Sequence, residues 1–243
     1  MMTIAENIHV VRQHIEDACA KAGRKPDEVT LIAVSKTNPA EAVIEAAVAG
    51  AQHFGENRVE EAESKIPVVN AQVSKPLTWH MIGHVQSRKA KDVEALFQYV
   101  HSVDTLKLAQ KFSALSLEKG KTLDVLLEVN VSGEEAKHGF VASQWANDDA
   151  MKSALWSELE QVFALPGLKV RGLMTMAPIV PDPQQARPVF ASLAALREAL
   201  QDRFSVVLPD LSMGMTDDYP VAIEEGATFV RVGRAIFGER AIK

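Results

Sequence analysis

The stretch Thr30-Leu31-Ile32-Ala33-Val34-Ser35-Lys36-Thr37-Asn38 decides the fold. Its apolar part predicts a buried strand over Thr30–Val34, and Asn38-Pro39 then starts a helix over Ala40–Ala49. An open doubly wound sheet normally carries a glycine-rich turn after its first strand, and this turn contains no glycine. We therefore favour a closed barrel of parallel strands over the open sheet.

The rest of the chain repeats the same strand-then-helix unit. Helix spacing is clearest over Pro183–Phe204 and over Thr105–Glu118, for which Asp104 is the predicted N-cap. Short apolar runs predict further strands at Gln52–Phe54, Leu77–Ile82, Tyr99–Val103, Leu123–Val131, Lys169–Met176, Val207–Ser212 and Thr228–Val232. Eight such units fit an α/β fold of the (β/α)8 TIM-barrel type with right-handed crossovers. We predict a single barrel domain over residues 1–243, with an extra N-terminal helix at about Ile4–Ala22.

Composition and charge narrow the function classes. The 243 residues are 47% apolar and carry a net charge of −6, and no basic block offsets that charge. This argues against a nucleic-acid partner, although a few local donors can still hold a small anion. The sequence has no apparent secretory segment or membrane-spanning apolar run, and its one cysteine, Cys19, precludes an internal disulfide. We expect a cytoplasmic protein without a membrane partner.

Lys36 is the first candidate functional residue. Reactive groups of a TIM barrel stand at the ends of its strands, so the Lys36 amine would face the mouth of the barrel. Partial desolvation there would favour the neutral amine, which condenses with aldehydes. A solvated surface lysine is the alternative, and position alone does not decide between the two.

Two small-residue turns close the last two predicted strands. Ser212-Met213-Gly214 offers a hydroxyl, and Gly233 and Arg234 offer a bare backbone beside a charged donor, as phosphate sites require. Arg231 would share a face with Gly233 and point into the same mouth, where its cation would keep a pyridine nitrogen unprotonated. One amine and two such turns predict a site for pyridoxal 5′-phosphate. Ordinary loop glycines and a salt bridge from Arg231 are the alternatives.

Other polar residues are weaker candidates. Asn57, after the second strand, would contact a cofactor ring oxygen or cap the next helix. His80 and His84 would stand roughly 13 Å apart on an extended strand, and we expect no nearby carboxylate to complete a metal-ligand set. We therefore expect no metal site and assign no catalytic residue. Glu56 and Glu128, at strand ends, leave open a barrel enzyme without the cofactor, such as a phosphosugar isomerase.

Segments spread over nearly the whole chain carry a family resemblance. They are Ala33-Val34-Ser35-Lys36-Thr37, Phe54-Gly55-Glu56-Asn57, Trp79-His80-Met81-Ile82-Gly83, Gln86-Ser87, Leu211-Ser212-Met213-Gly214-Met215-Thr216-Asp217-Asp218 and Val230-Arg231-Val232-Gly233-Arg234-Ala235-Ile236-Phe237-Gly238. In this order they resemble the YggS/PROSC-type pyridoxal-phosphate homeostasis proteins. The chain departs from the usual pattern of that family at Arg58, Arg88 and Arg234.

The resemblance implies a barrel like the N-terminal domain of alanine racemase. It implies that Lys36 carries the cofactor as an internal aldimine. Arg231 would face the ring nitrogen, with Asn57 nearby, and the cofactor phosphate would be held by Ser212, Gly233 and residue 234.

The resemblance also implies a function. The family looks like a carrier and buffer of the cofactor in intracellular vitamin B6 homeostasis, without an established catalytic activity. An amino-acid racemase is the alternative, and it would need a second acid/base group opposite Lys36. The racemases that this chain resembles take a tyrosine from a second domain, which we do not expect here, and Tyr219 is the one candidate in its place. We therefore favour a monomeric carrier whose partners are the cofactor and, transiently, cofactor-accepting apoenzymes.

Overall fold

The chain forms a closed parallel barrel in the computed structural model, which describes residues 2–134 and 136–239. The strands are β1 (Thr30–Val34), β2 (His53–Glu56), β3 (Thr78–Met81), β4 (Tyr99–Val103), β5 (Leu123–Asn130), β6 (Phe140–Val141), β7 (Leu168–Met174), β8 (Asp210–Met215) and β9 (Phe229–Val232). The helices are α1 (Ile4–Lys21), α2 (Ala40–Val48), α3 (Val59–Gln72), α4 (Ala90–Leu96), α5 (Leu106–Glu118), α6 (Asp149–Phe163), α7 (Arg187–Phe204), α8 (Tyr219–Glu224) and α9 (Arg234–Phe237). Short 3-10 turns lie at Pro26–Glu28, Ser87–Lys89 and Pro183–Ala186.

Eight of the strands close the barrel. They pair in parallel in the order β1-β2-β3-β4-β5-β7-β8-β9, and β9 pairs back with β1. The register aligns Ile32 of β1 with Arg231 of β9. The loops after the first and last strands therefore lie side by side at the carboxyl end of the barrel.

The predicted TIM barrel and its eight strands are confirmed, with shifts of a few residues at strand ends. The sequence did not reveal β6, because a two-residue strand has no readable period. It pairs with the end of β5 outside the barrel ring. The predicted N-cap at Asp104 was wrong, since the Thr105 hydroxyl caps α5 by accepting the Leu108 N–H at 3.3 Å.

The predicted N-terminal helix is confirmed as α1. Thr3 and Glu6 form a reciprocal capping box at its start, which satisfies two backbone N–H groups. Ile8, Val11 and Ile15 lie on its buried face, which packs against α8 and α9. No helix in the described part of the chain is long and apolar enough to cross a membrane.

The interior of the barrel combines a small apolar cluster with buried polar groups. The large hydrophobic cluster lies between the strands and the surrounding helices, whereas a separate small one inside comprises Ile32, Leu126, Met174 and Phe229. Fully or nearly buried polar side chains complete the interior: His80, His101, Glu128, Ser212 and Arg231. Buried polar groups are costly unless they are hydrogen-bonded, so their partners define the site.

Candidate cofactor-binding site

A cavity of about 660 Å³ opens at the carboxyl ends of β1 and β9. Lys36, Gly233 and Arg234 line it together with apolar Val34 and Phe237. Its volume lies within the usual range of small-molecule sites. The structure thus brings together the predicted amine and two of the predicted phosphate contacts; we call this space the mouth cavity.

The turn that carries Lys36 is held from both sides. The Lys65 amine donates to the Ser35 carbonyl oxygen at 2.8 Å, and the Glu61 carboxylate accepts the Thr37 N–H at 2.6 Å. Thr37 has a φ of 65°, which is strained for a β-branched residue. Backbone strain directly after the predicted amine is typical of functional positions.

Glu56 completes a buried ion cluster with Lys65 and Glu61. Its carboxylate accepts from the Lys65 amine at 2.8 Å and from the Ser35 hydroxyl at 2.7 Å. Burial raises the pKa of Glu56, although both hydrogen bonds act in the opposite direction. The cluster, which we call the Lys65 cluster, ties Glu56 to helix α3 and supports the Lys36 turn from outside the barrel.

Arg231 lies inside the barrel with only 5% of its surface exposed. Its two terminal nitrogens donate to the Ser212 hydroxyl at 2.6 Å and to the Thr175 carbonyl oxygen at 2.9 Å. Burial lowers the pKa of the guanidinium to about 10, so it remains charged at neutral pH. Arg231 lies two residues before Gly233 and therefore on the same face of the strand. Its guanidinium is thus a fixed cation beneath the mouth cavity.

Ser212 lies deeper than the predicted phosphate turn suggests. Its hydroxyl is fully buried and lies 2.8 Å from His101 Nδ1, besides accepting from Arg231. Gly214, two residues on, has a φ of 91°, and a Cβ there would lie 2.6 Å from the Cβ of Ala222. Glycine is therefore needed where β8 turns toward α8. A contact between Ser212 and phosphate stays a prediction.

The Arg234 guanidinium is engaged at the surface. It forms ion pairs with Asp217 and, at 3.5 Å, with Glu239. Of the two groups of residue 234 that the sequence left open, the backbone N–H is therefore the better placed for an anion. The alternative of a salt bridge from Arg231 to Glu224 or Glu225 is wrong, because both carboxylates pair with Arg187.

Asn57 lines a second cavity of about 330 Å³ together with His84, Arg58 and Arg88, of which the two arginines depart from the family pattern. A Cβ on Gly83 would lie 2.3 Å from the Asn57 carbonyl oxygen, so only glycine allows the loops after β2 and β3 to approach this closely. Asn57 thus shares the carboxyl end of the barrel with Lys36, and its contact with a cofactor stays a prediction.

Neither tyrosine is placed as a base opposite Lys36. The Tyr219 hydroxyl lies 3.0 Å from His14 Nδ1 on α1, and burial raises its pKa to about 12. Tyr99 stacks on His80 inside the barrel, with ring centroids 4.9 Å apart.

His80 and His84 have separate surroundings. His80 is fully buried among other histidines, whereas His84 is exposed at the mouth, where its Nδ1 lies 2.9 Å from the Asp104 carboxylate. The expectation that no carboxylate lies nearby was therefore wrong, because the next strand supplies one.

His84, Asp104 and His138 have ligand atoms within 4.8 Å of one another. The two imidazoles stack with centroids 4.1 Å apart and planes 16° from parallel. Each imidazole nitrogen binds a metal in its own ring plane, and two nearly parallel, stacked planes do not meet at one ion. In this arrangement the two imidazoles form a stack, and His84 contacts Asp104.

Glu128 is a buried acid among these charges. It is 4% exposed, and burial together with repulsion from Asp104 raises its pKa to about 7, against the attraction of Arg231. The sequence identified Glu128 only as a strand-end carboxylate. It did not reveal the Lys65 cluster, for which the i, i+4 spacing of Glu61 and Lys65 was the available signal.

Comparison with known proteins identifies the family of the chain. Residues 2–241 match the family model described as alanine racemase, N-terminal domain. A protein of Pseudomonas aeruginosa named pyridoxal phosphate homeostasis protein is 46% identical over 99% of this chain and 97% of its own. The Escherichia coli protein of the same name is 38% identical over 99% and 98%. The solved structure of PipY from Synechococcus elongatus with PLP bound superposes with a TM-score of 0.81 at 35% identity, covering 97% of this chain and all of PipY. The chain therefore belongs to the alanine racemase N-terminal domain family and, within it, to the pyridoxal phosphate homeostasis proteins.

Proposed function

We propose that this chain binds pyridoxal 5′-phosphate reversibly through Lys36 and acts as a cytoplasmic carrier and buffer of that cofactor in vitamin B6 homeostasis. The observation that carries the proposal is the mouth cavity, in which Lys36 shares one lining with Gly233 and Arg234. When bound, the cofactor supplies an aldehyde that condenses with an amine and a phosphate that needs cationic and N–H donors. The cavity lining offers both kinds of partner.

Each site residue has a distinct role in this proposal. Lys36 forms the reversible covalent link. Gly233 and the backbone of Arg234 bind the phosphate, and Asn57 lies beside the ring. Arg231 faces the ring nitrogen and keeps it unprotonated, because a fixed cation disfavours a second positive charge.

Carriage is favoured over racemisation by the acid/base groups. Racemisation needs a proton donor and acceptor on both faces of the substrate carbon, and Tyr219 is occupied with His14. A ring nitrogen held unprotonated by Arg231 also makes the ring a weaker electron sink. We therefore propose that the chain is not an enzyme but a monomer that passes the cofactor to apoenzymes in transient complexes.

A spectroscopic titration tests binding. Addition of pyridoxal 5′-phosphate to the cofactor-free protein should produce a saturable visible absorbance band, which Lys36→Ala should abolish while leaving the melting temperature within a few degrees. Lys111→Ala, on the exposed face of α5, is the matched control and should bind normally. A normal band in Lys36→Ala would refute the proposed link.

A second assay separates the carrier from the racemase. The loaded protein should not exchange the α-proton of amino acids with solvent at enzymatic rates, yet it should activate an added cofactor-free apoenzyme. Exchange at rates of ordinary racemases would instead identify an enzyme.

A further inference from the structure

A continuous chain of hydrogen bonds runs through the interior of the barrel to Arg231. His53 Nδ1 lies 3.0 Å from His80 Nε2, and His80 Nδ1 lies 2.9 Å from His101 Nε2. His101 Nδ1 lies 2.8 Å from the Ser212 hydroxyl, which accepts from Arg231 at 2.6 Å. We call His53, His80 and His101 the histidine chain.

Burial favours the neutral form of all three imidazoles. His80 and His101 are fully buried, and burial lowers the pKa of each well below its usual range. His53 is half-buried and lines a cavity of about 370 Å³ at the opposite end of the barrel, and burial lowers its pKa as well. A neutral imidazole has one N–H donor and one nitrogen acceptor, so each ring can extend the chain in one direction only.

Arg231 sets that direction. A guanidinium only donates, so the Ser212 hydroxyl accepts from Arg231 and has its own proton to give to His101 Nδ1. His101 then carries its proton on Nε2 and donates to His80, which in turn donates from Nε2 to His53. If the hydrogen bonds ran in the opposite direction, His101 Nδ1 and Arg231 would both donate to the Ser212 hydroxyl oxygen. The hydroxyl proton would then have no acceptor among these residues, so this direction is disfavoured.

The linear arrangement also distinguishes the histidine chain from a metal site. Each neighbouring pair of rings is joined by its own N···N hydrogen bond, using both nitrogens of His80. Three ligands of one ion would instead direct one nitrogen each to a common point.

We propose that Ser212 and the histidine chain are positioning residues for Arg231, fixing the orientation of its guanidinium beneath the cofactor ring. The ring contact rests on the proposed function; the direction of the hydrogen bonds does not. The second terminal nitrogen of Arg231 donates to the Thr175 carbonyl oxygen. The Thr175 hydroxyl in turn donates to the Val129 carbonyl oxygen at 2.8 Å, which fixes Thr175. The hydrogen bonds to Ser212 and Thr175 together fix the plane of the guanidinium. Hydrogen bonds to the second ring nitrogen orient metal-binding histidines in the same way.

The proposal gives Ser212 a role other than the phosphate contact predicted from the sequence. The single hydroxyl proton is used toward His101, and a phosphate dianion needs donors. The two predicted turns therefore have different roles in this proposal. Residues 233 and 234 bind the phosphate, whereas Ser212 orients Arg231.

Nitrogen NMR of the cofactor-free protein tests the direction of the chain. With its seven histidines labelled with 15N, His53, His80 and His101 should each be neutral and carry the proton on Nε2 at pH 7.5. In Ser212→Ala, both tautomers of His101 should appear, whereas Ser116→Ala, a buried serine on α5, should leave the tautomers unchanged. A charged His101, or one protonated on Nδ1 in the wild type, would overturn the proposal without any variant.

Cofactor binding tests the positioning role. Ser212→Ala should weaken pyridoxal 5′-phosphate binding by on the order of tenfold, the size expected for removal of a ligand's supporting partner, and Ser212→Thr should restore it. Inorganic phosphate should compete equally well in the wild type and in Ser212→Ala. A parallel loss of competition by phosphate would make Ser212 a phosphate ligand and refute the positioning role. If no cofactor binds to the wild type, the proposed function fails while the NMR result still decides the direction of the chain.

Discussion

Arg231 shows at the scale of one residue how the barrel supports a buried charge. Moving a cation out of water costs several kcal/mol unless hydrogen bonds and opposite charges compensate. Ser212 and Thr175 accept two of its N–H groups, and Asp218 and Glu128 stabilise its charge. In the proposed function, this buried charge faces the ring nitrogen of the cofactor.

The Arg231→Gln variant tests whether this charge faces the cofactor. Without the cation, the ring nitrogen can take up a proton, so the visible band of the loaded protein should gain an additional ionisation in its pH titration. Arg187→Gln, which removes a surface ion pair with Glu224 and Glu225, is the control. An unchanged titration curve in Arg231→Gln would place the guanidinium elsewhere.

Glu128 predicts a pH-dependent stability. Between the ordinary carboxyl pKa of 4.5 and its value of about 7, the folded protein retains a proton that the unfolded chain releases. The contribution of Glu128 to stability therefore falls as pH rises through this window, by about 3 kcal/mol at about 1.4 kcal/mol per pKa unit.

Glu128→Gln should remove that contribution. Denaturant titrations give the free energy of unfolding of each protein. The difference between the variant and the wild type should be about 3 kcal/mol larger at pH 8 than at pH 4, in favour of the variant. Glu160→Gln, on the exposed face of α6, should not change the pH profile. Parallel profiles for Glu128→Gln and the wild type would show that folding does not raise the pKa of Glu128.

At the scale of elements, the Lys65 cluster connects helix α3 to the end of β1. Lys65 bonds to Glu56 at the end of β2 and to the backbone of Ser35, while Glu61 holds Thr37. The Lys36 turn is thus fixed by contacts from a neighbouring helix, and its strained backbone depends on them.

Lys65→Met should destabilise the fold by about 3 kcal/mol, because it leaves the buried carboxylate of Glu56 without its cation. Lys89→Met, which removes a more exposed ion pair with Glu60, should change the free energy of unfolding far less. Equal effects in denaturant titrations would mean that the buried cluster contributes no more than a surface pair.

Elements with a repeating apolar pattern were predictable, and contacts between elements were not. The strand at Thr30–Val34 and the helix at Ile4–Lys21 follow from local periodicity and capping residues. The two-residue β6 and the pairing of Lys65 with Glu56 depend on tertiary packing, so no local pattern specifies them.

At the scale of the molecule, closure of the barrel brings the first and last strands together. That closure explains why Lys36 and Gly233, almost two hundred residues apart in the chain, share the mouth cavity, and it made their meeting predictable from topology alone. The depth of Ser212 and the partner of His84 were not predictable, because they depend on which residue of a strand end turns inward.

The single-domain prediction has a direct test. One hydrophobic cluster connects the helices and strands around the barrel, so residues 1–243 should unfold in one cooperative transition. Far- and near-ultraviolet circular dichroism should give the same midpoint. Two separated transitions would indicate that part of the chain folds independently.

Borohydride reduction of the protein loaded with pyridoxal 5′-phosphate, followed by mass mapping of its peptides, tests the central claim most directly. The account predicts a stable adduct on the peptide that contains Lys36 and its disappearance in Lys36→Ala. An adduct on a different lysine at stoichiometric yield, or no adduct at saturating cofactor, would contradict it.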